Sequence, residues 1–201
     1  VLCALLAILS LALGASAAVA AQVVAPDNGF GTATLPPAGE NYDGSQMQIV
    51  DGLLPGSTVD INAPVLGSFS SVTEVPGGGF AGGTQSSYDA VLVMPMVGTG
   101  AMAGYFRTIN IPLNGAGANL MDFDARVLST SPQSFAGDLR RLQGQILGDP
   151  DFDLLRITAG TEFGLPSPGH TTLTDLGGGN WNVDSFFDIT YRIDFVGSPG
   201  G

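Results

Sequence analysis

Between Phe187 and Phe195 every second residue is large and apolar: Phe187, Ile189, Tyr191, Ile193 and Phe195, with Asp188, Thr190, Arg192 and Asp194 between them. Side chains alternate across an extended strand, so this period sorts the residues onto one buried face and one wet face. A helix would scatter the same residues around its axis. The stretch Asn180–Val196 is therefore expected to be a β-strand, with shorter strands packed on its apolar side.

The same pattern recurs at short intervals. Met47–Val50, Thr58–Asn62 and Leu66–Thr73 are separated by D-G-L-L-P-G and N-A-P, which are turn-forming runs. Tyr88–Val97 is apolar on both faces, as in a central strand, and Pro95 marks an edge or bulge near its end. Gly104–Leu113 alternates again, with Tyr105, Arg107, Ile109, Ile111 and Leu113 in one register. Further strands are expected over Met121–Leu128, Arg140–Leu147 and Asp153–Ala159. His170–Leu176 should pair with the Asn180 stretch as a hairpin through G-G-G-N. No segment sustains a helical period. About eight to ten short strands with Gly/Pro turns predict an all-β fold, an antiparallel β-sandwich in one domain.

Residues 1–21 combine an apolar run with small residues and A-x-A-like cleavage choices such as Ala15-Ser16-Ala17. This reads as a secretory signal peptide, a cleavable apolar helix that leaves no membrane span in the mature chain. A basic start is missing before Val1, so a short leader is expected to precede it. Residues 22–45, rich in Gly, Pro and Asn, are expected to be a flexible lead-in, and 46–201 the β-sandwich. The only cysteine, Cys3, falls in the leader. A mature disulfide framework, a cysteine zinc site and a thiol nucleophile are thereby excluded.

Six arginines and no lysine stand against eighteen acids, a formal charge of −12. Nucleic acid is a poor partner for such a chain, because phosphate binding needs a basic stripe. A cation, or solubility in a salty exterior, suits the charge better.

Of the residues able to carry chemistry, D-P-D-F-D is the most suggestive. Asp149, Asp151 and Asp153 alternate in a turn, and calcium is the cofactor that such oxygens would take. Acids solvated at a loop tip are the plainer reading, and the spacing is not that of an EF-hand. Asp122 and Asp124, like Asp184, Asp188 and Asp194, are expected at outward strand positions, with Arg192 as a surface partner. His170 is the sole histidine. Ser167 and Asp175 lie near it in sequence, yet no G-x-S-x-G elbow is present, so no catalytic residue is assigned. Glu162 could share a glycosidase-like pair with an aspartate, but no spacing demands it. Trp181, with Tyr191, could stack on a sugar, although a lone Trp on a strand more often belongs to the core. The run P-G-G-G-F-A-G-G from Pro76 to Gly83 lacks the Lys-Ser/Thr of a phosphate loop and reads as a hairpin loop.

Four runs stand out as a set: M-Q-I-V-D-G-L at 47–53, R-L-Q-G-Q-I at 141–146, G-D-P-D-F-D-L-L-R-I-T-A-G-T-E-F-G-L-P-S-P-G-H-T-T-L-T at 148–174, and N-W-N-V-D-S-F-F-D-I-T-Y-R-I-D-F-V-G at 180–197. Together they resemble a group of exported, β-rich proteins of environmental bacteria to which no activity is attached. The resemblance implies secretion, a β-rich domain over most of 45–201, and in some relatives a C-terminal surface-sorting tail. In those relatives the chain runs on past the V-G-x-P-G-G point, so the domain is expected to be cut short at Gly201. The expectation is a secreted or cell-surface, non-enzymatic protein with a structural or adhesive role, meeting extracellular matrix, glycan or a surface protein. The other reading is a polysaccharide-binding module assisted by calcium.

Overall fold

The structure is a computed structural model that describes residues 23–79, 82–114 and 119–198. The leader, Cys3, part of the Pro76–Gly83 loop and the last residues before Gly201 lie outside this set. The first strands are β1 (Val23–Pro26), β2 (Asn41–Asp43), β3 (Gln46–Ile49), β4 (Val59–Asn62), β5 (Val65–Pro76), β6 (Thr84–Gly98) and β7 (Phe106–Leu113). They are followed by β8 (Asn119–Phe123), β9 (Gln133–Leu147), β10 (Phe152–Ala159), β11 (Pro168–Gly177), β12 (Asn180–Phe187) and β13 (Tyr191–Gly197). Short 3-10 turns occupy Gly100–Met102 and Thr161–Phe163.

The all-β, antiparallel architecture is the expected one. In place of the two sheets of a sandwich, the strands form one connected sheet, strongly curled into a half-barrel. Its main path runs β1-β12-β11-β9-β8-β6-β4-β3. Continuity comes from β6 and β9, each 15 residues long. Each changes neighbours along its length. On one flank β6 pairs with β5 through Val93 and with β4 from Met96. Pro95, which has no amide hydrogen, sits at this changeover. On one flank of β9, β11 pairs with Gln133–Asp138 and β10 with Leu142–Leu147. Strand β8 bonds to both long strands, so the sheet has no break where a sandwich would have one.

Beyond β8 the second half of β9 crosses over β7. A Cβ on Gly144 would stand 2.4 Å from Leu113 Cδ2 and 2.6 Å from the Pro112 carbonyl oxygen. Only glycine allows this approach. The core lies inside the curl. From Ser86 on, the even-numbered residues of β6, including Tyr88, Leu92, Met94 and Met96, are buried, as are Ile109, Ile111 and Leu113 of β7 and Met121 and Phe123 of β8. Burying each large side chain stabilises the fold by about 1.5–3 kcal/mol. Edge-to-face rings extend the core: Phe69 lies 5.3 Å from Tyr88, and Tyr42 5.5 Å from Phe69.

Three strand expectations change. The Asn180–Val196 stretch is two strands, and its five alternating apolar residues are half-buried. Strand β12 pairs with β11, and β13 with β10. The corner between them is tied by the amides of Asp188 and Thr190, which donate to the carbonyls of Pro168 (2.8 Å) and Pro166 (3.3 Å). The buried Ser167 hydroxyl completes the tie as donor to the Leu165 carbonyl at 3.1 Å and acceptor from the Thr190 amide at 3.2 Å. The 22–45 lead-in is built into the sheet. β1 pairs with β12, β2 with β5, and Ala33 and Leu35 are fully buried. Finally, β9 starts seven residues before Arg140, while β8 ends at Phe123 instead of Leu128. The β11–β12 hairpin forms as expected, with Gly178 and Gly179 at φ 65° and 77° in a tight turn that needs positive φ.

Candidate functional site

The D-P-D-F-D turn joins β9 to β10. Its oxygens face an arginine. Arg107 grips Asp149 through two hydrogen bonds, Nη1 to Oδ1 at 2.7 Å and Nη2 to Oδ2 at 2.5 Å, and also donates Nη1 to Asp151 Oδ2. Burial alone would push the Asp149 carboxyl up. The amide of Asp151 and the guanidinium outweigh this and hold it below its ordinary range. The third acid, Asp153, accepts from Ser198 Oγ at 3.0 Å, and the Ser198 amide donates to the Asp151 carbonyl at 2.9 Å. The turn therefore fastens β7 and the end of β13 to β10. Among the described residues no group of three or more acids, histidines or cysteines is gathered as metal ligands, and Asp149 and Asp151 are engaged in this ion-pair latch. Arg107 itself is the residue that sequence reasoning overlooked. Its signal was a cation in the inward register of Tyr105 and Ile109.

Trp181 is 4% exposed, and its indole N–H donates to Asp27 Oδ2 at 2.9 Å. So enclosed a ring offers no open face for stacking on a sugar. It does form part of the wall of a cleft of about 470 Å3, together with Asp27, Ser129, Ser131 and Asp175. The indole N–H, foremost, and the Gly29 amide hold the Asp27 carboxyl below its ordinary range.

The remaining residues are spread apart. Ser134 Oγ and His170 Nε2 are 3.1 Å apart. The hydroxyl of Ser167 is turned to backbone, and Asp175 accepts from the Gly177 amide at 2.7 Å. Glu162 stands between Arg140 (3.6 Å) and Arg141 (3.3 Å). Arg192 pairs with Asp194 at 3.2 Å on the surface, as expected. Asp122 does not face outward: it is 2% exposed, accepting from Gln85 Nε2 at 2.8 Å with Arg140 at 3.5 Å. Its neighbours on β6 and β9 cover that side of β8.

A second opening lies on the concave side of the sheet. A trough of about 630 Å3 runs between the β2–β3 segment and the β12–β13 corner. Beside it the Gln48 backbone amide donates to the Tyr191 hydroxyl at 3.3 Å, so β3 and β13 meet there. Among the described residues no helix is long and apolar enough to cross a membrane, which says nothing of strands. No protein-family profile, curated protein or solved structure matches the chain.

Proposed function

We propose that this is a non-enzymatic protein of the cell exterior, secreted or held at the surface, with a structural or adhesive role. The observation that carries the reading is the use made of its reactive side chains. Asp149 and Asp151 clamp Arg107, and Glu162 spans two arginines. Each holds strands together instead of facing a shared substrate space. The leader-like residues 1–21, the acidic charge and the kinship with exported β-rich proteins belong to the same proposal, with the curled sheet doing the work assigned to a sandwich. The test is to present the purified protein on beads to bacterial envelopes and matrix polymer, beside a screen of ester, peptide and glycoside substrates. Retention without turnover is expected. Turnover that is lost in Glu162→Gln or His170→Ala would overturn the proposal.

A polysaccharide-binding module is the second reading, favoured by the polar cleft beside Trp181. Hydroxyls of Ser129, Thr130 and Ser131 and the carboxylates of Asp27 and Asp175 suit sugar hydroxyls. Affinity electrophoresis on a glycan panel should then show retardation that weakens in Ser131→Ala and Asp175→Asn. Equal mobility on every glycan would discard it.

A further inference from the structure

The trough has the composition of a ligand site that none of the motifs announced. Its accessible apolar wall is made by Val23, Met47, Phe187, Ile189 and Tyr191, backed by the buried Leu66, Leu92, Leu142 and Ile157. Tyr42 and Phe187 stand in its wall with ring centroids 5.9 Å apart, edge to face. Beside them the Tyr42 hydroxyl donates to Ser185 Oγ at 3.4 Å, and Ser185 in turn meets Thr171 Oγ1 at 2.7 Å. The rim carries four carboxylates, Glu40, Asp43, Asp184 and Asp188. Among the described residues none of the four has a side-chain hydrogen bond or ion pair, whereas Asp149, Asp151 and Glu162 all have arginine partners. No arginine lines the trough, and the chain has no lysine.

Each part selects the same chemistry. An apolar wall accepts a hydrocarbon or aryl body, and the volume falls within the roughly 300–1,000 Å3 of small-molecule sites. Aromatic faces attract an ammonium group, most strongly where water is excluded. Unneutralised carboxylates at the entrance attract cations and repel anions, and the net charge of −12 adds to that field. A fatty carboxylate of the same shape would meet repulsion at every step of entry.

We propose that the trough inside the half-barrel binds a small amphipathic cation, an apolar body bearing an ammonium head, with the body against Met47, Phe187 and Ile189 and the head at the Asp184–Asp188 rim. This goes beyond the structural reading above and does not depend on it.

The test compares three probes of one size on the full chain at low salt: n-octylammonium, octanoate and 1-octanol, by calorimetry and by amide NMR shifts. Octylammonium is expected to bind roughly tenfold tighter than either of the others. Its shifts should fall on Tyr42–Gln46 and Ser185–Tyr191. In Asp184→Asn/Asp188→Asn the preference over octanol should shrink severalfold while the thermal melt stays in place, because both side chains are exposed and unpartnered. Equal or tighter binding of octanol or octanoate, absence of binding by all three, or shifts confined to the Trp181 cleft would each overturn the proposal.

Discussion

The Asn119 side chain accepts the Gln143 amide at 3.1 Å while donating to the Leu113 and Tyr88 carbonyls at 2.6 and 3.1 Å. One buried amide thus joins β6, β7, β8 and β9 where the long strands diverge. Removing it orphans three backbone groups in a site closed to water. Asn119→Ala is expected to lose about 2–4 kcal/mol. Urea unfolding checks this, as a lowered midpoint with an unchanged slope.

Glu74 is the anchor of the N-terminal segment. It accepts from the Leu35 amide at 3.2 Å and Thr34 Oγ1 at 3.1 Å, and it lies 3.8 Å from Arg126 Nη2. The Arg126 side chain is 6% exposed and stacks 4.7 Å over Phe135. Glu74→Ala removes the guanidinium's carboxylate and leaves it only the Ala33 carbonyl at 3.0 Å, so a loss of about 3–5 kcal/mol is expected. Glu74→Gln, which retains an acceptor, should lose less. Limited proteolysis between β1 and β2 should accelerate in the alanine variant first.

Arg107 and its two aspartates form a latch. The melting temperature of the wild-type chain should therefore be indifferent to chelator. Arg107→Ala should lower stability by about 1 kcal/mol, the scale of a partly exposed ion pair. A melt that falls on adding chelator to the wild type would restore calcium.

Trp181 reports on Asp27. The Asp27 carboxyl is held below its ordinary 3.8, first by the indole N–H. A depressed carboxyl contributes stability that is present above the unfolded value and lost as pH falls through the folded one. Fluorescence of this sole tryptophan should thus change only below about pH 3.9. Asp27→Asn should remove that step. A wild-type trace that stays flat down to global acid unfolding would sink the idea.

The phenols give the opposite limb. Burial pushes Tyr42 and Tyr88 up, and burial with the nearby Asp151 charge pushes Tyr105 up to about 12. Groups raised in the folded state contribute stability below the unfolded value, which disappears as pH rises through the folded one. Three of the four phenols should resist ionisation at 295 nm past about pH 10 until the sheet opens, and unfolding should follow steeply in alkali.

Local period was enough for much of the architecture. The alternation over Phe106–Leu113 marked the buried register that the structure shows, and the glycines after Gly177 marked a hairpin, because both signals act between near neighbours in the chain. The same logic failed at Phe187–Phe195. Five alternating residues were legible, but the bend at Asp188 depends on the carbonyls of Pro166 and Pro168. It also failed for the lead-in, whose strands exist only through partners as distant as Val183 for Val23.

By itself, then, the sequence determined an acidic, antiparallel, all-β chain with many of its strands and one of its hairpins, since alternation and turn residues are properties of adjacent positions. Tertiary structure alone decided the rest. One curled sheet arose instead of two because β8 bonds both long strands, and Gly144 mattered because β9 crosses β7 there. Asp149 and Asp151 met Arg107, and four rim carboxylates met an apolar trough, through contacts set by packing between segments that the chain keeps far apart.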